Sequence, residues 1–279
     1  MEFTSPAARE HYRSVVAAAS ATVVGLDFDG VLSPIVEDPT AAAIHPDAPD
    51  VLVALARGVR AVAVVTGRPA RQVLALGDLD EVGRRMALQE RELFVFGQYG
   101  NERWSSTDRR VISPRPPAGL ASFERELPAL LRSVELGGTF IEEKGLAVAL
   151  HTRRLDDPAQ AFHRLLRPVE ELAVRHGLTL EPGRNVIEVR APGVHKGDAV
   201  RTLVAEQDAG GIVFAGDDLG DVEAFQAVLR MREGGLPALL VCSASDEQNA
   251  LVDLADVVVP GPAGVLDLLR TLTDDVAAH

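Results

Sequence analysis

Lysine is nearly missing from this chain. Of 28 basic residues in 279, only Lys144 and Lys196 are lysines, and arginine carries every other positive charge. Where arginine serves everywhere else, the two lysines are candidates for sites that need a compact, mobile ammonium, although chance survival on the surface would leave the same count. Cysteine is equally scarce. Cys242 stands alone, which excludes an internal disulfide and fits a reducing compartment. Positive charge is short overall, and a net charge of -13 argues against nucleic acid and anionic membrane surfaces as partners. No apolar run approaches the length of a membrane span. The first residues, Met1 to Arg13, are polar and charged and lack the apolar stretch of a signal peptide. The expected location is therefore cytoplasmic. Internal repeats and low-complexity tracts are also missing.

Apolar residues are plentiful, at 47% of the chain, enough for a sizeable core. Five short apolar runs read as buried strands: Thr22 to Leu26, Val59 to Val65, Gly211 to Ala215, Pro237 to Cys242 and Asp256 to Val259. Their Val and Ile content suits parallel strands covered on both faces. Helical stripes lie between them, at Pro49 to Ala56, Gly197 to Glu206 and Gly264 to Leu272. Strands alternating with helices predict a doubly wound parallel-sheet α/β core.

The middle of the chain has another rhythm. After the breaker Ser113-Pro114-Arg115-Pro116-Pro117 come a helix near Ser122 to Arg132 and strand-like runs at Thr139 to Lys144 and Leu146 to Thr152. An amphipathic stretch follows from Pro158 to His176, with Pro168 inside it. Two short runs then flank Glu181-Pro182-Gly183-Arg184, a turn signal. This predicts a separate α+β domain, 105–192, inserted into a core made of 1–104 and 193–279.

Chemistry gathers at the carboxyl ends of strands in open α/β sheets. The first strand ends in Asp27-Phe28-Asp29-Gly30, the second in Thr66-Gly67-Arg68, and the third in Gly216-Asp217-Asp218-Leu219-Gly220-Asp221. Singly, each aspartate pair is compatible with turn and cap roles. Together they crowd carboxylates. At an effective dielectric near 20, two such charges ~4 Å apart repel by roughly 4 kcal/mol. Such a cluster calls for a cation, and hard oxygen donors without histidine or cysteine point to Mg²⁺.

These segments, with Lys196, resemble in order the four motifs of the haloacid dehalogenase superfamily, and the insertion resembles its second type of cap. Gly97 to Trp104, Glu142 to Ala147 and Pro182 to Arg190 further resemble the trehalose-6-phosphate phosphatases. Gly220, Val222 and Val31 depart from the usual pattern but remove no carboxylate. The resemblance implies a Rossmann-like core with an α+β cap. It also implies that Asp27 attacks phosphorus, that Asp29 acts as acid and base, and that Thr66 and Lys196 hold the phosphoryl group. Asp27, Asp29, Asp217, Asp218 and Asp221 would serve the metal. The substrate, a sugar phosphate, would meet Thr66, Gly67, Arg68, Glu102, Glu142, Lys144, Arg184 and Glu188; Arg68 could instead be a structural ion-pair partner. Trehalose 6-phosphate is the expected substrate. Sucrose phosphate or mannosyl-glycerate phosphate hydrolysis, or a regulator without turnover, are the alternatives.

Overall fold

The structure is a computed structural model that describes residues 2–36, 38–183, 185–244 and 251–279. Its contacts divide the chain into two units, Met1–Ser113 with His195–His279, and Pro114–Val194.

The first unit begins with β1 (Glu2–Phe3), α1 (Pro6–Ala17), β2 (Thr22–Leu26), α2 (Ala48–Leu55) and β3 (Ala61–Val65). It continues with α3 (Ala70–Leu76), α4 (Leu79–Ala87), β4 (Leu93–Gly97) and β5 (Glu102–Ser105). The second unit holds α5 (Leu120–Ser133), β6 (Phe140–Glu143), β7 (Ala147–His151), α6 (Pro158–Arg175), β8 (Thr179–Gly183) and β9 (Val186–Arg190). The chain then returns to the first unit through α7 (Lys196–Glu206), β10 (Gly211–Gly216), α8 (Val222–Glu233), β11 (Ala238–Ala244), β12 (Val257–Pro260) and α9 (Gly261–Ala278).

The eight strands of the first unit lie in the order β1-β12-β11-β10-β2-β3-β4-β5. The six inner strands are parallel, and β1 and β5 are antiparallel edges. Alternation with period two explains the two-sided burial. Val24, Leu26, Val62, Val64, Val213 and Ala215 join the helices α1, α2, α4 and α9 on one face. Val23, Ala63, Val65, Ile212 and Phe214 meet α7 and α8 on the other. There the Phe214 ring stands edge-on to Phe225 at 6.0 Å. The fold is a doubly wound α/β sheet, as the apolar runs predict.

The sequence passes from β2 outward through β3 and β4, then restarts at β10 on the opposite side of β2. The topological switch point thus falls between β2 and β10, whose last paired residues are Leu26 and Ala215. Ligand sites form at such crevices because the flanking loops diverge there.

The second unit is a four-stranded antiparallel sheet, β6-β7-β9-β8. Val148, Leu150, Ile187 and Val189 pack under α5 and α6. Residues of opposite parity, among them Glu142, Ala149 and Glu188, stand in one row across the other face. Helix α6 runs through Pro168 without ending. The turn expected at Glu181 to Arg184 is displaced. Pro182 and Gly183 belong to β8 and pair with Ile187 and Val186. β8 is an edge strand, the position in a sheet where a missing N–H is tolerated.

Candidate active site

Asp27 follows β2 directly, and its N–H donates to the Ala215 carbonyl at 3.0 Å, which stitches it to the end of β10. Gly30 follows with φ +70, and a Cβ there would lie 2.2 Å from an Asp217 carboxylate oxygen. Both the left-handed turn and the close approach therefore require glycine. On the far side, the buried Ser243 hydroxyl at the end of β11 donates to the Gly30 carbonyl at 2.6 Å. Helix α7 begins at Lys196 and delivers its ammonium to the switch point.

There Lys196 Nζ lies 2.8 Å from Asp27 Oδ2 and 2.8 Å from Asp221 Oδ1. Asp221 Oδ2 accepts the Asp217 N–H at 3.1 Å. Asp27, Asp217, Asp221 and Lys196 are all buried, with Asp221 fully excluded from solvent. Asp27, Asp217 and Asp221 each offer an oxygen, and these oxygens lie within 4.8 Å of one another. The donors are all carboxylates, suited to a hard divalent cation. Electrostatics agrees. Burial, then the repulsion of Asp27, Asp218 and Asp221, pushes the Asp217 carboxyl up to about 10. Burial raises Asp27 well above the ordinary carboxylate range, against the pull of Lys196. Asp221 is raised by the same desolvation, again opposed by Lys196. Burial alone would lower the Lys196 ammonium, but Asp221 and Asp27 outweigh it, and its pKa is raised well above the ordinary value. One ammonium does not satisfy three buried carboxylates, and a cation would complete the set.

The remaining core residues are placed nearby with separate partners. Asp29 turns its carboxylate to Arg68, which holds both oxygens through Nε at 2.7 Å and Nη2 at 2.8 Å. Asp218 accepts the Gly220 N–H at 2.8 Å and caps the following turn. Thr66 is buried just past the end of β3, the strand that pairs with β2, and Gly67 packs against Tyr99.

Four of the five residues that the sequence reads as carboxylate ligands, Asp27, Asp29, Asp218 and Asp221, also make short contacts to Lys196, a backbone N–H or Arg68. A family model described as trehalose-phosphatase matches residues 131–257. A probable trehalose-phosphate phosphatase of Sinorhizobium fredii is 31% identical over 219 residues, 76% of this chain and 74% of that protein. The probable trehalose-phosphate phosphatase 9 of Oryza sativa subsp. japonica is 30% identical over 305 residues, 98% of this chain and 76% of that protein. The chain belongs to the trehalose-phosphatase family. The solved C-terminal domain of the C. albicans trehalose-6-phosphate phosphatase superposes with a TM-score of 0.75 over 98% of both chains, at 18% identity, which supports the fold. The chain also spans about 15% of the length of an uncharacterized glycosyl hydrolase of Mycobacterium tuberculosis, with which it is 33% identical over 217 residues.

Within the second unit of this family member, Lys144 Nζ lies 2.5 Å from Glu188 Oε2. Glu188 Oε1 is 3.7 Å from Arg190 Nε and makes no hydrogen bond among the described residues. Glu142 Oε2 meets His151 Nε2 at 2.8 Å. Arg184, expected to touch substrate, lies outside the described residues. Glu102 belongs to the first unit and accepts the Ala70 N–H at 2.6 Å. Two contributions escaped sequence reasoning. Ser243 was hidden because the apolar run of β11 reads as strand to its end. A polar residue there, on a strand beside β10, is the signal that would have found it. The Arg68–Asp29 pairing is not fixed by the sequence, because 39 residues separate the partners.

Proposed function

We propose that this protein hydrolyses trehalose 6-phosphate to trehalose and phosphate, with Mg²⁺ held by Asp27, Asp217 and Asp221. The observation that carries the reading is Asp27. It is a carboxylate at the switch point, 2.8 Å from a buried ammonium and within a carboxylate cluster that suits a cation. When bound, the cation would draw charge from the phosphoryl oxygens and suppress protonation of the carboxylates.

An Asp27 oxygen attacks phosphorus, and the bond from phosphorus to the sugar oxygen breaks. Lys196 and the Thr66 hydroxyl balance the charge on the transferring group. Asp29 gives a proton to the departing sugar oxygen. Water then attacks the aspartyl phosphate and passes its proton to Asp29. Phosphate leaves and the Asp27 carboxylate is restored. Arg68, which holds both Asp29 oxygens, must release one of them for Asp29 to carry that proton. Residues 1–104 and 193–279 act as the catalytic core. The insertion, 105–192, acts as a cap that reads the sugar with Glu142, Lys144 and Glu188, which combine acceptors with an ammonium donor for hydroxyl groups.

A phosphate-release panel tests the reading. Trehalose 6-phosphate should be the fastest substrate, turnover should require Mg²⁺, and Asp27→Asn should abolish it while leaving the fold intact. Faster release from sucrose 6-phosphate or glucose 6-phosphate would overturn the substrate, and an active Asp27→Asn protein would overturn the nucleophile.

A further inference from the structure

The segment that carries Thr66 is held from one side by the tip of the β4–β5 hairpin. Tyr99 N–H donates to the Thr66 carbonyl at 2.9 Å, and Gln98 N–H to the Arg68 carbonyl at 2.8 Å. Glu102, the first residue of β5, adds a third tie through its 2.6 Å contact with Ala70 N–H. Its other oxygen is 3.4 Å from the Ser113 hydroxyl. The tip adopts an uncommon backbone to do this. Gln98 and Tyr99 have φ +46 and +60, followed by Gly100 at +100. Side-chain-bearing residues keep such angles where the surroundings impose them.

The fit around the tip is close. A Cβ on Gly97 would fall 2.5 Å from Ala70 N, and one on Gly67 would fall 2.9 Å from the Tyr99 ring. A Cβ on Gly100 would fall 2.7 Å from Ala199 Cβ, in the helix that begins with Lys196. One hairpin tip therefore touches both the Thr66–Ala70 segment and the Lys196 helix. Thr66 Oγ1 accepts the Arg68 N–H at 3.1 Å, which directs its own proton elsewhere. The aim of that hydroxyl depends on where the backbone from Thr66 to Ala70 lies.

We infer that Glu102 is a positioning residue: by holding Ala70 N–H it locks the Thr66–Ala70 segment onto the hairpin and so aims the Thr66 hydroxyl. This rests on the phosphatase reading above. It also separates from the expectation that Glu102 contacts the sugar, because a positioning residue serves every phosphate ester alike.

The test compares wild type, Glu102→Ala, Glu102→Gln, Thr66→Val and the Glu102→Ala/Thr66→Val double variant, with Mg²⁺, on trehalose 6-phosphate and p-nitrophenyl phosphate. Glu102→Ala should lower kcat by ~10- to 100-fold on both esters with KM within about 3-fold, the scale of loss for a catalytic group displaced by about an ångström. Glu102→Gln, whose amide oxygen still accepts, should recover most of it. The double variant should be within about 3-fold of Thr66→Val alone, since the two act through one hydroxyl. A loss confined to trehalose 6-phosphate through KM, or losses that multiply in the double variant, would overturn the inference. Hydrogen exchange decides it independently of turnover. Amides of residues 66–72 should exchange faster in Glu102→Ala and normally in Glu102→Gln, with α9 unchanged. Unchanged exchange at 66–72, or faster exchange throughout the molecule, would overturn it. A wild type inactive on both esters would sink the phosphatase reading and leave the exchange result to stand or fall by itself.

Discussion

Lys196 is nearly inaccessible to solvent and touches two carboxylates that are equally hidden. Removing one partner from such a set leaves the others uncompensated, at a cost of about 3–5 kcal/mol. Lys196→Ala should therefore abolish turnover and also lower the melting temperature of the metal-free protein, measured by calorimetry. Mg²⁺ should restore part of the difference; an unchanged melting temperature would show that the ammonium is not balancing the cluster. Wild type should itself be stabilised by Mg²⁺, by about 2.7 kcal/mol at a hundredfold excess over Kd, and chelation should reverse this. Asp29 gives a different signature. p-Nitrophenolate departs without a proton, whereas hydrolysis of the aspartyl phosphate still needs a base. Asp29→Asn should release about one p-nitrophenol per enzyme and then stall, a burst visible by stopped-flow absorbance. Steady turnover would remove Asp29 from the second step.

At the scale of elements, the sugar contacts proposed above lie in the hairpins of the second unit. Lys144→Ala or Glu188→Ala should lower kcat/KM for trehalose 6-phosphate by ~10-fold or more, the loss of one charged hydrogen bond worth roughly 1.5–3 kcal/mol. Activity on p-nitrophenyl phosphate should scarcely change. Equal losses on both would assign the pair to folding instead. The strands themselves were legible to different degrees, for a physical reason. β2, β3, β10, β11 and β12 stand out as apolar runs because helices cover both faces. β5 presents Glu102 and Arg103, and β1 is two residues long. An edge strand needs no continuous apolar run, so neither announces itself. The Asp27, Thr66, Lys196 and Asp217 segments were readable because each adjoins a legible strand or opens a helix. The Glu102 contact with Ala70 was not readable, because 32 residues separate the partners.

At the scale of the molecule, α1 and α9 are tied by the Tyr12 hydroxyl, which donates to Asp275 at 2.7 Å. Burial, then that hydrogen bond and the Asp275 charge, push the Tyr12 phenol above its ordinary value of 10.0. The folded state therefore keeps its proton after the unfolded chain begins to lose it. The resulting stability is complete below pH 10 and falls as pH rises through and beyond it. Tyr12→Phe should flatten that decline in a series of melts above pH 10. A wild-type curve parallel to the variant's would refute the tie.

The switch point has a consequence for how the protein is made. β2 is paired on one side by β3, but its other neighbour, β10, emerges from the ribosome only after the whole second unit. The second unit is continuous in the chain. The first unit cannot close its sheet until Gly211 and the residues after it arrive. A nascent chain halted before that point carries Asp27 without Asp217 or Asp221, and exposes the flank of β2 to any other strand. The step that supplies two of the three clustered carboxylates is also the step that seals the sheet, so an incomplete chain lacks the cluster and leaves a strand edge open.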